Sequence, residues 1–178
     1  IILFLVWLGL VLVAGIRWQH LLLVFLLGAV AFLAMWHTAL EPYQKERITT
    51  FLNPLSDVQG AGYNAFQSTV AVGSGQLFGK GIGYGTQSKL QFLPEYETDF
   101  IFAAFAEEWG FVGVLVLFML FSVIIFQLLR FAVLSATNFE RLFTAGVAML
   151  FVSHFFVHIG MNLGLLPVTG TTIPFLSY

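Results

Sequence analysis

The chain has 178 residues, of which 59% are hydrophobic and 9% are charged, and its mean hydropathy is +0.93. Soluble domains carry about 25% charged residues, so this composition indicates an integral membrane protein. The net charge of −2 argues against nucleic acid as a partner, and the lack of cysteine excludes disulfides, a thiol nucleophile and thiolate metal ligands.

Two apolar runs open the chain, over residues 1–16 and 21–36, with a short polar break between them. A membrane-crossing helix needs about 20 residues, or about 17 at the short end of the range. We therefore predict a transmembrane helical hairpin over residues 1–37. Because the chain starts inside an apolar run without Met, we expect it to be an internal piece of a larger membrane protein.

A polar, glycine-rich segment follows over residues 38–98. Loops of this length are usually functional or disordered, but apolar side chains recur throughout this one, so disorder is not expected. We predict a short helix over residues 64–72. Residues 73–85 should turn rather than form a helix, because glycine readily adopts positive φ. The segment should fold as a lid on the membrane surface that dips partly into it.

Two further apolar segments predict a transmembrane helix over residues 99–130, tilted or starting in the interface, and another over residues 142–168. Residues 131–141 form the linker between them, and residues 169–178 form a final turn. The predicted fold class is an all-α polytopic membrane protein, a helical bundle with a large, partly structured loop.

The short loops are basic, with three arginines against one acid: Arg17, Arg130, Arg141 and Glu140. Short loops rich in Lys and Arg face the cytoplasm, so the linker 131–141 is predicted to be cytoplasmic. Four spans then place the 38–98 loop and the 169–178 turn outside the cytoplasm, where ATP and nicotinamide cofactors are not available.

Three acids, Glu95, Glu97 and Asp99, lie at the border between the loop and the third apolar segment. A carboxylate deep in a bilayer costs about 2.5–3.5 kcal/mol on insertion scales, so acids near such positions usually have a function or a partner. Asp99 directly adjoins the apolar side. From composition alone, an ordinary interfacial acid or the N-cap of the following helix is the preferred interpretation, and a functional acid is the alternative.

The glycine-rich stretch around Lys80 does not match a Walker A loop, because Gly81 follows Lys80 where Ser or Thr is required. It also lacks the pore helix and the following span of a potassium filter. Two interpretations remain open. The stretch is either a tight structural turn or a set of backbone N–H groups that binds a phosphate together with Lys80.

His154 and His158 are one helical turn apart, which suits metal binding, but the HExxH pattern is absent and no third ligand is near. Structural histidines between helices are the preferred interpretation. On a helix, Glu107 and Glu108 point to different faces. At least one of them should face the bundle with a bonding partner, in a structural or supporting role.

Several motifs resemble, in order, the signature of the SEDS family, named for shape, elongation, division and sporulation. The clearest are Gln44-Lys45-Glu46-Arg47, Gly60-Ala61-Gly62-Tyr63, Gly79-Lys80-Gly81, Gly85-Thr86-Gln87, Leu93-Pro94-Glu95, Thr98-Asp99-Phe100, Leu166-Pro167-Val168-Thr169-Gly170 and Pro174-Phe175-Leu176-Ser177-Tyr178. The glycine-containing motifs look more like the elongation (RodA) type than the division (FtsW) type. The Lys near Thr169 and the acid at Gln91 that mark the division type are absent.

The resemblance implies a peptidoglycan glycosyltransferase of the bacterial cytoplasmic (inner) membrane that polymerises lipid II during elongation, with a class B penicillin-binding protein as partner. The family fold has ten transmembrane helices with both ends cytoplasmic, of which this chain resembles the sixth to the ninth with the large outer loop. The essential acid of the family falls on Asp99.

On this basis Asp99 is predicted to be the general base of glycosyl transfer. Lys80 and the glycine loop, with Arg47, would hold the pyrophosphate; Gln44, Gln67 and Glu95 are further candidates for substrate binding. No metal site is predicted, and a divalent cation, Mg²⁺ or Mn²⁺, is the cofactor left open. Two alternatives remain: a lipid II flippase or transporter, and a non-catalytic scaffold for the penicillin-binding protein.

Overall fold

The computed structural model describes residues 1–38, 41, 44–45, 49–51, 61–89, 93 and 97–177. We number its helices α1 (Ile2–Val13), α2 (Trp18–Thr38), α3 (Ala61–Ser74), α4 (Thr86–Lys89), α5 (Ile101–Leu134) and α6 (Asn138–Asn162). Helices α2, α5 and α6 are long and apolar enough to cross a membrane, whereas α1 is apolar but only 12 residues long. The predicted all-α polytopic fold is confirmed, and α3 contains the predicted short helix.

Helix α6 is the centre of the bundle, with α1 and α5 packed along it. The α1 contact depends on small residues: a Cβ at Gly9 would be only 2.8 Å from Met149 Sδ, and a Cβ at Gly146 would be 3.3 Å from Leu10 Cδ2. Small residues at helix contacts allow the backbones to approach closely, which favours association inside a membrane. The two helices run antiparallel.

Helices α5 and α6 form an antiparallel hairpin held by aromatic contacts. The Phe155 ring lies 4.9 Å from that of Phe118 and 4.3 Å from that of Phe121, between centroids. The turn covers only residues 135–137, shorter than the predicted linker 131–141. The reason is a capping box, in which Thr137 Oγ1 accepts from the Glu140 N–H at 3.2 Å and Glu140 Oε2 accepts from the Thr137 N–H.

Helix α6 ends at Asn162, earlier than the predicted boundary at residue 168. Gly164 has a φ of +70°, the left-handed conformation that commonly ends helices. The following N–H groups, of Leu165 and Leu166, bond back to the carbonyl of Gly160 at 2.8 and 3.1 Å. The glycine, rather than Pro167, therefore turns the chain out of the helix.

Helix α5 is interrupted at Gly110, which has φ 66° and ψ −169°. This backbone conformation is essentially restricted to glycine. Residues 111–134 are still sufficient to cross the hydrocarbon core, which takes about 20 residues. Helix α5, which has 34 residues, thus consists of a short first segment, residues 101–109, and a second segment long enough to cross the membrane.

The loop after α3 takes up the backbone groups that the interruption leaves without helical partners. The carbonyls of Glu107 and Glu108 accept from loop N–H groups, and the N–H groups beyond the break donate to loop carbonyls: Lys80 N to Glu107 O 2.9 Å, Gly81 N to Glu108 O 3.0 Å, Phe111 N to Gln76 O 2.9 Å and Val112 N to Leu77 O 3.1 Å. Irregular backbone near a membrane requires such internal partners. The predicted turning stretch is therefore a docked part of the bundle.

Substitution of Gly110 by alanine should destabilise the protein strongly. The conformation would cost about 1–3 kcal/mol for any residue with a side chain, and the added Cβ would be 2.7 Å from Leu77 O. We expect a lower midpoint of thermal unfolding in detergent. Gly73→Ala is the matched control, because its Cβ would meet nothing within 4 Å and its φ is not positive. Equal midpoints for the two variants would contradict the assigned role of Gly110.

Candidate functional site

Asp99 lies half-buried in the turn that leads into α5, at the end of the apolar span. The N-cap position of α5 is Phe100, so Asp99 stands one residue outside the helix. Its backbone carbonyl accepts a hydrogen bond from Asn162 Nδ2 at 3.0 Å, and the carbonyl of Thr98 accepts one from Ser177 Oγ at 3.2 Å. The turn is thus fixed to the end of α6 and to the C-terminal segment.

The carboxylate of Asp99 faces Gly170 in the C-terminal turn. A Cβ built on Gly170 would lie 3.4 Å from Asp99 Oδ2, and Gly170 has a φ of +66°. Both the conformation and the proximity favour glycine at this position. The turn therefore leaves space beside the carboxylate that a side chain would fill.

Asn162 connects three helices directly behind Asp99. Its side chain is fully buried, and Nδ2 donates both to Asp99 O and to His158 O, the latter at 2.8 Å. Its Oδ1 accepts from Ala103 N at 3.1 Å and from Ser68 Oγ, which also bonds the Asn162 carbonyl at 2.8 Å. One carboxamide therefore joins α3, the first turn of α5 and the end of α6.

The two histidines of α6 hold the C-terminal turn in place. His154 Nδ1 lies 3.1 Å from Thr172 O and His158 Nδ1 lies 2.6 Å from Thr171 O. A carbonyl only accepts, so each Nδ1 carries a proton. These contacts support the structural interpretation of the histidines. Among the residues that the structure describes, no group of three or more His, Asp or Glu side chains could hold a metal ion.

A second polar cluster surrounds Glu107, which is fully buried in the first segment of α5. Its Oε1 lies 2.7 Å from Lys80 Nζ and accepts from Thr86 Oγ1 and Thr86 N, both at 2.9 Å, and from Gln87 N at 3.2 Å. The prediction that at least one of the two glutamates faces the bundle with a partner is confirmed. These bonds connect Lys80, Thr86 and Gln87 to α5 shortly before its interruption at Gly110.

This arrangement limits what Lys80 can offer to a substrate. Its Nζ also donates to Thr86 Oγ1 at 2.7 Å, and its side chain is 30% exposed. An ammonium has three donors, so two are engaged within the protein. Pyrophosphate binding by Lys80 stays a prediction, and an anion there would share the ammonium with Glu107.

Of the remaining predicted substrate ligands, Gln44 and Gln67 lie in the described part of the chain. Gln44 Oε1 accepts from the N–H of Glu41 at 3.2 Å, a local bond. Gln67 is half-buried on α3. Arg47 and Glu95 lie outside the described residues. Their roles remain predictions from the family resemblance.

An apolar cavity of about 250 Å³ opens between α3 and the segment that follows α6. Its walls include Phe66 and Thr69 on one side and Leu163, Leu166 and Val168 on the other. Leu163 directly follows Asn162, so the cavity begins one residue from the amide that bonds Asp99. A cavity of this character suits an apolar chain.

Sequence reasoning missed Asn162 and Ser68. The available signal was an amide within an otherwise apolar segment, because polar side chains at such positions usually have a partner or a function. Thr86 was noted only as part of a motif. Its side-chain and backbone bonds to Glu107 depend on how the loop docks, which no local pattern reveals.

With this geometry established, the comparisons with known proteins identify the family. The whole chain, residues 1–178, matches the model of the FtsW, RodA and SpoVE family, described as cell cycle protein. The protein belongs to this family.

Its relatives include named peptidoglycan glycosyltransferases and a sporulation protein. It is 42% identical over 165 residues to peptidoglycan glycosyltransferase MrdB of Escherichia coli, covering 93% of this chain and 45% of that protein. It is 41% identical over 166 residues to stage V sporulation protein E of Bacillus subtilis, covering 93% and 44%. The probable peptidoglycan glycosyltransferase FtsW of Shewanella sediminis is 39% identical, covering 100% and 43%. The chain thus spans about half the length of these relatives.

The fold also matches a solved structure. One chain of a peptidoglycan synthase complex, described by its structural coordination of polymerization and crosslinking, superposes with a TM-score of 0.75 at 32% identity. The match covers 99% of this chain and 48% of that one. The helical arrangement described above is therefore the arrangement of the family.

The pair Lys80–Glu107 should be energetically coupled. Removing one partner of a buried ion pair costs about 3–5 kcal/mol because a charge is left uncompensated, so Lys80→Met should be strongly destabilising. The double variant Lys80→Met/Glu107→Gln should recover part of the loss, with a coupling of about 0.5–3 kcal/mol in a double-mutant cycle.

Unfolding of purified protein in detergent measures this coupling. Lys45→Met serves as the control, because Lys45 Nζ lies over the Trp36 ring at 6.0 Å rather than beside Glu107. The effects of Lys45→Met and Glu107→Gln should add. If the effects of Lys80→Met and Glu107→Gln on unfolding also simply added, the ion pair would not stabilise the docked loop.

Proposed function

We propose that the parent protein is a peptidoglycan glycosyltransferase that polymerises lipid II, with Asp99 as general base. The observation that carries the proposal is the half-buried Asp99 carboxylate, which is held at the end of the α5 span beside a glycine turn. The names of the relatives support the reaction class: MrdB is a peptidoglycan glycosyltransferase, and FtsW is named as a probable one.

The chemistry requires one proton acceptor close to the membrane surface. A hydroxyl of the acceptor sugar attacks the anomeric carbon of the donor, the new C–O bond forms, and the bond from that carbon to the pyrophosphate oxygen breaks. Asp99 takes the hydroxyl proton, which a carboxylate within hydrogen-bond distance can do. The pyrophosphate leaves with the bonding electron pair, so it needs positive charge or N–H donors rather than an acid.

For the leaving group we propose Lys80 with the glycine loop, and Arg47, with Gln44, Gln67 and Glu95 as further substrate contacts. In support of Lys80, its main-chain N–H and its Nζ both bond Glu107, so the residue lies in the loop that docks on α5. A divalent cation, Mg²⁺ or Mn²⁺, is an alternative means of neutralising the pyrophosphate. The apolar cavity beside Leu163 would take part of the lipid tail.

We propose that the protein lies in the bacterial cytoplasmic membrane with the 38–98 loop outside the cytoplasm. The arginines in and beside the short turns, Arg17, Arg130 and Arg141, support this orientation. The turns also belong to one end of the bundle, because Val13 and Ala14 from the first turn share a recess with Asn138 and Arg141 from the start of α6. Asp99 is at the opposite end of α5 from that turn.

A class B penicillin-binding protein is the proposed partner, and cell elongation is the proposed context. The partner is supported by the similarity to a chain from a complex that coordinates polymerization and crosslinking. The elongation role depends on the motif forms in this sequence, because the relatives named MrdB, stage V sporulation protein E and FtsW have similar identities of 42%, 41% and 39%.

One observation favours a second candidate function, movement of the lipid across the membrane. Interrupted helices, such as α5 at Gly110, often form substrate sites in transporters. Transport predicts that labelled lipid II crosses the bilayer of vesicles without polymer being formed. Glycosyl transfer predicts polymer in the same vesicles.

Asp99→Asn in the full-length parent protein should lower the rate of polymer formation by about 10²–10⁴-fold, the usual contribution of a general base. Product lengths from purified lipid II, separated on gels, measure the rate. Thermal unfolding of the same preparation gives the folded fraction by which the rate is divided.

Glu97→Gln is the matched control, an exposed acid two residues earlier in the same turn, and it should retain activity. Normal polymer from Asp99→Asn would eliminate the catalytic role. If the unchanged parent protein moves lipid II without making polymer, and Asp99→Asn abolishes that movement, the transport function would be favoured instead.

Single cysteines test the orientation, since this chain has no cysteine of its own. In an otherwise cysteine-free parent protein, exposed Ile82→Cys should react with a membrane-impermeant maleimide on intact spheroplasts. Ala136→Cys, in the turn between α5 and α6, should react only after the membrane is permeabilised. The reverse pattern would place the loop in the cytoplasm and contradict the proposed orientation.

A further inference from the structure

We propose that Asn162 is a positioning residue for Asp99, fixing the direction of the carboxylate during proton transfer. This inference rests on the proposed function, in which Asp99 is the general base. Asn162 bonds the main-chain carbonyl of Asp99, and the group that would react with substrate is the side chain of Asp99.

The position of Asp99 cannot come from the α5 helix itself. Asp99 precedes the N-cap residue Phe100, so no intrahelical bond holds its carbonyl in the helical direction. The bond from Asn162 Nδ2 at 3.0 Å provides an anchor at this point. The same nitrogen donates to His158 O at 2.8 Å, so the carboxamide is fixed with respect to α6.

The carboxamide is also rigid. Its Oδ1 accepts from Ala103 N, in the first turn of α5, and it is fully buried. Both ends of the amide are thus engaged, and it holds the turn before α5 and the first turn of α5 to one fixed point. Networks of satisfied buried polar groups of this kind favour a single conformation.

Asn162 also determines where the opposite wall of the site begins. It is the last residue of α6, and the chain that follows it returns through Gly164 to Gly170, beside Asp99 Oδ2. One residue therefore fixes the main chain that carries the base and the start of the segment that faces it. A displacement of about 1 Å at a reacting group lowers rates by about 10²-fold.

Asparagine is required by this geometry because the site needs two donors on one atom and an acceptor on the other. Aspartate has the same shape and keeps the acceptor for Ala103 N, but its second oxygen would face the carbonyls of Asp99 and His158 without a proton to donate. Asn162→Asp therefore removes the bonds to the carbonyls of Asp99 and His158 and keeps the bond from Ala103 N. Asn162→Ala removes the donor without adding charge.

Ser68→Ala is the matched control. Ser68 bonds the same residue, through its Oδ1 and its carbonyl, rather than the carbonyl of Asp99, and it is equally buried on α3. If Asn162 served stability alone, Ser68→Ala and the Asn162 variants should lower activity alike. If Asn162 positions Asp99, only the Asn162 variants should lower kcat.

The experiment measures kcat and KM for lipid II polymerisation by the full-length parent protein with each variant. We expect both Asn162 variants to lower kcat by about 10²-fold with KM nearly unchanged, the pattern of an interaction needed in the transition state. Ser68→Ala should keep kcat close to that of the unchanged protein. Thermal unfolding reports the folded fraction by which kcat is divided.

The outcomes separate this inference from the proposed function. If Asp99→Asn polymerises normally, the proposed function fails and the positioning role fails with it. If Asp99→Asn is inactive but the Asn162 variants keep their kcat, only the positioning role is overturned. Equal losses for Ser68→Ala and the Asn162 variants, or a failure of both Asn162 variants to fold, would also overturn it by assigning the amide to stability.

Discussion

The structure depends on the interruption of α5 at Gly110 and on the loop that satisfies it. A helix broken near a membrane has free N–H and C=O groups that cannot stay unpaired, and residues 76–81 bond to them on both sides of the break. The buried pair of Lys80 and Glu107 adds side-chain contacts to the same junction. A segment that looks like a surface loop in the sequence is therefore part of the bundle.

Asp99 lies just before the other end of the same short helical segment, residues 101–109. The turn that carries it contacts the end of α6 through Asn162 and the C-terminal segment through Ser177, while Gly170 faces the carboxylate. Three parts of the chain that are far apart in sequence thus meet at one acid. The two polar clusters lie near either end of residues 101–109, which span about 12 Å of helix at 1.5 Å per residue.

Much of the fold was predictable because long apolar runs and rare charges are conspicuous. The spans and the position of Asp99 at their border follow from these signals, and its choice as the candidate site residue follows from the motif resemblance. The break at Gly110 was not predictable, because Gly113 in the same helix is helical and the two glycines look alike in sequence. The pairing of Lys80 with Glu107, 27 residues apart, and the role of Asn162 depend on tertiary docking, which no local periodicity encodes.

The order of the partners along the chain has a consequence for biosynthesis. Residues 76–81 are translated before α5, and proteins generally fold from the N-terminal side during synthesis. The groups that complete the interrupted helix are consequently synthesised before Gly110 is added. If α5 were synthesised before the loop, the backbone polar groups at its interruption would stay unpaired until the loop followed, at a cost of several kcal/mol for each group.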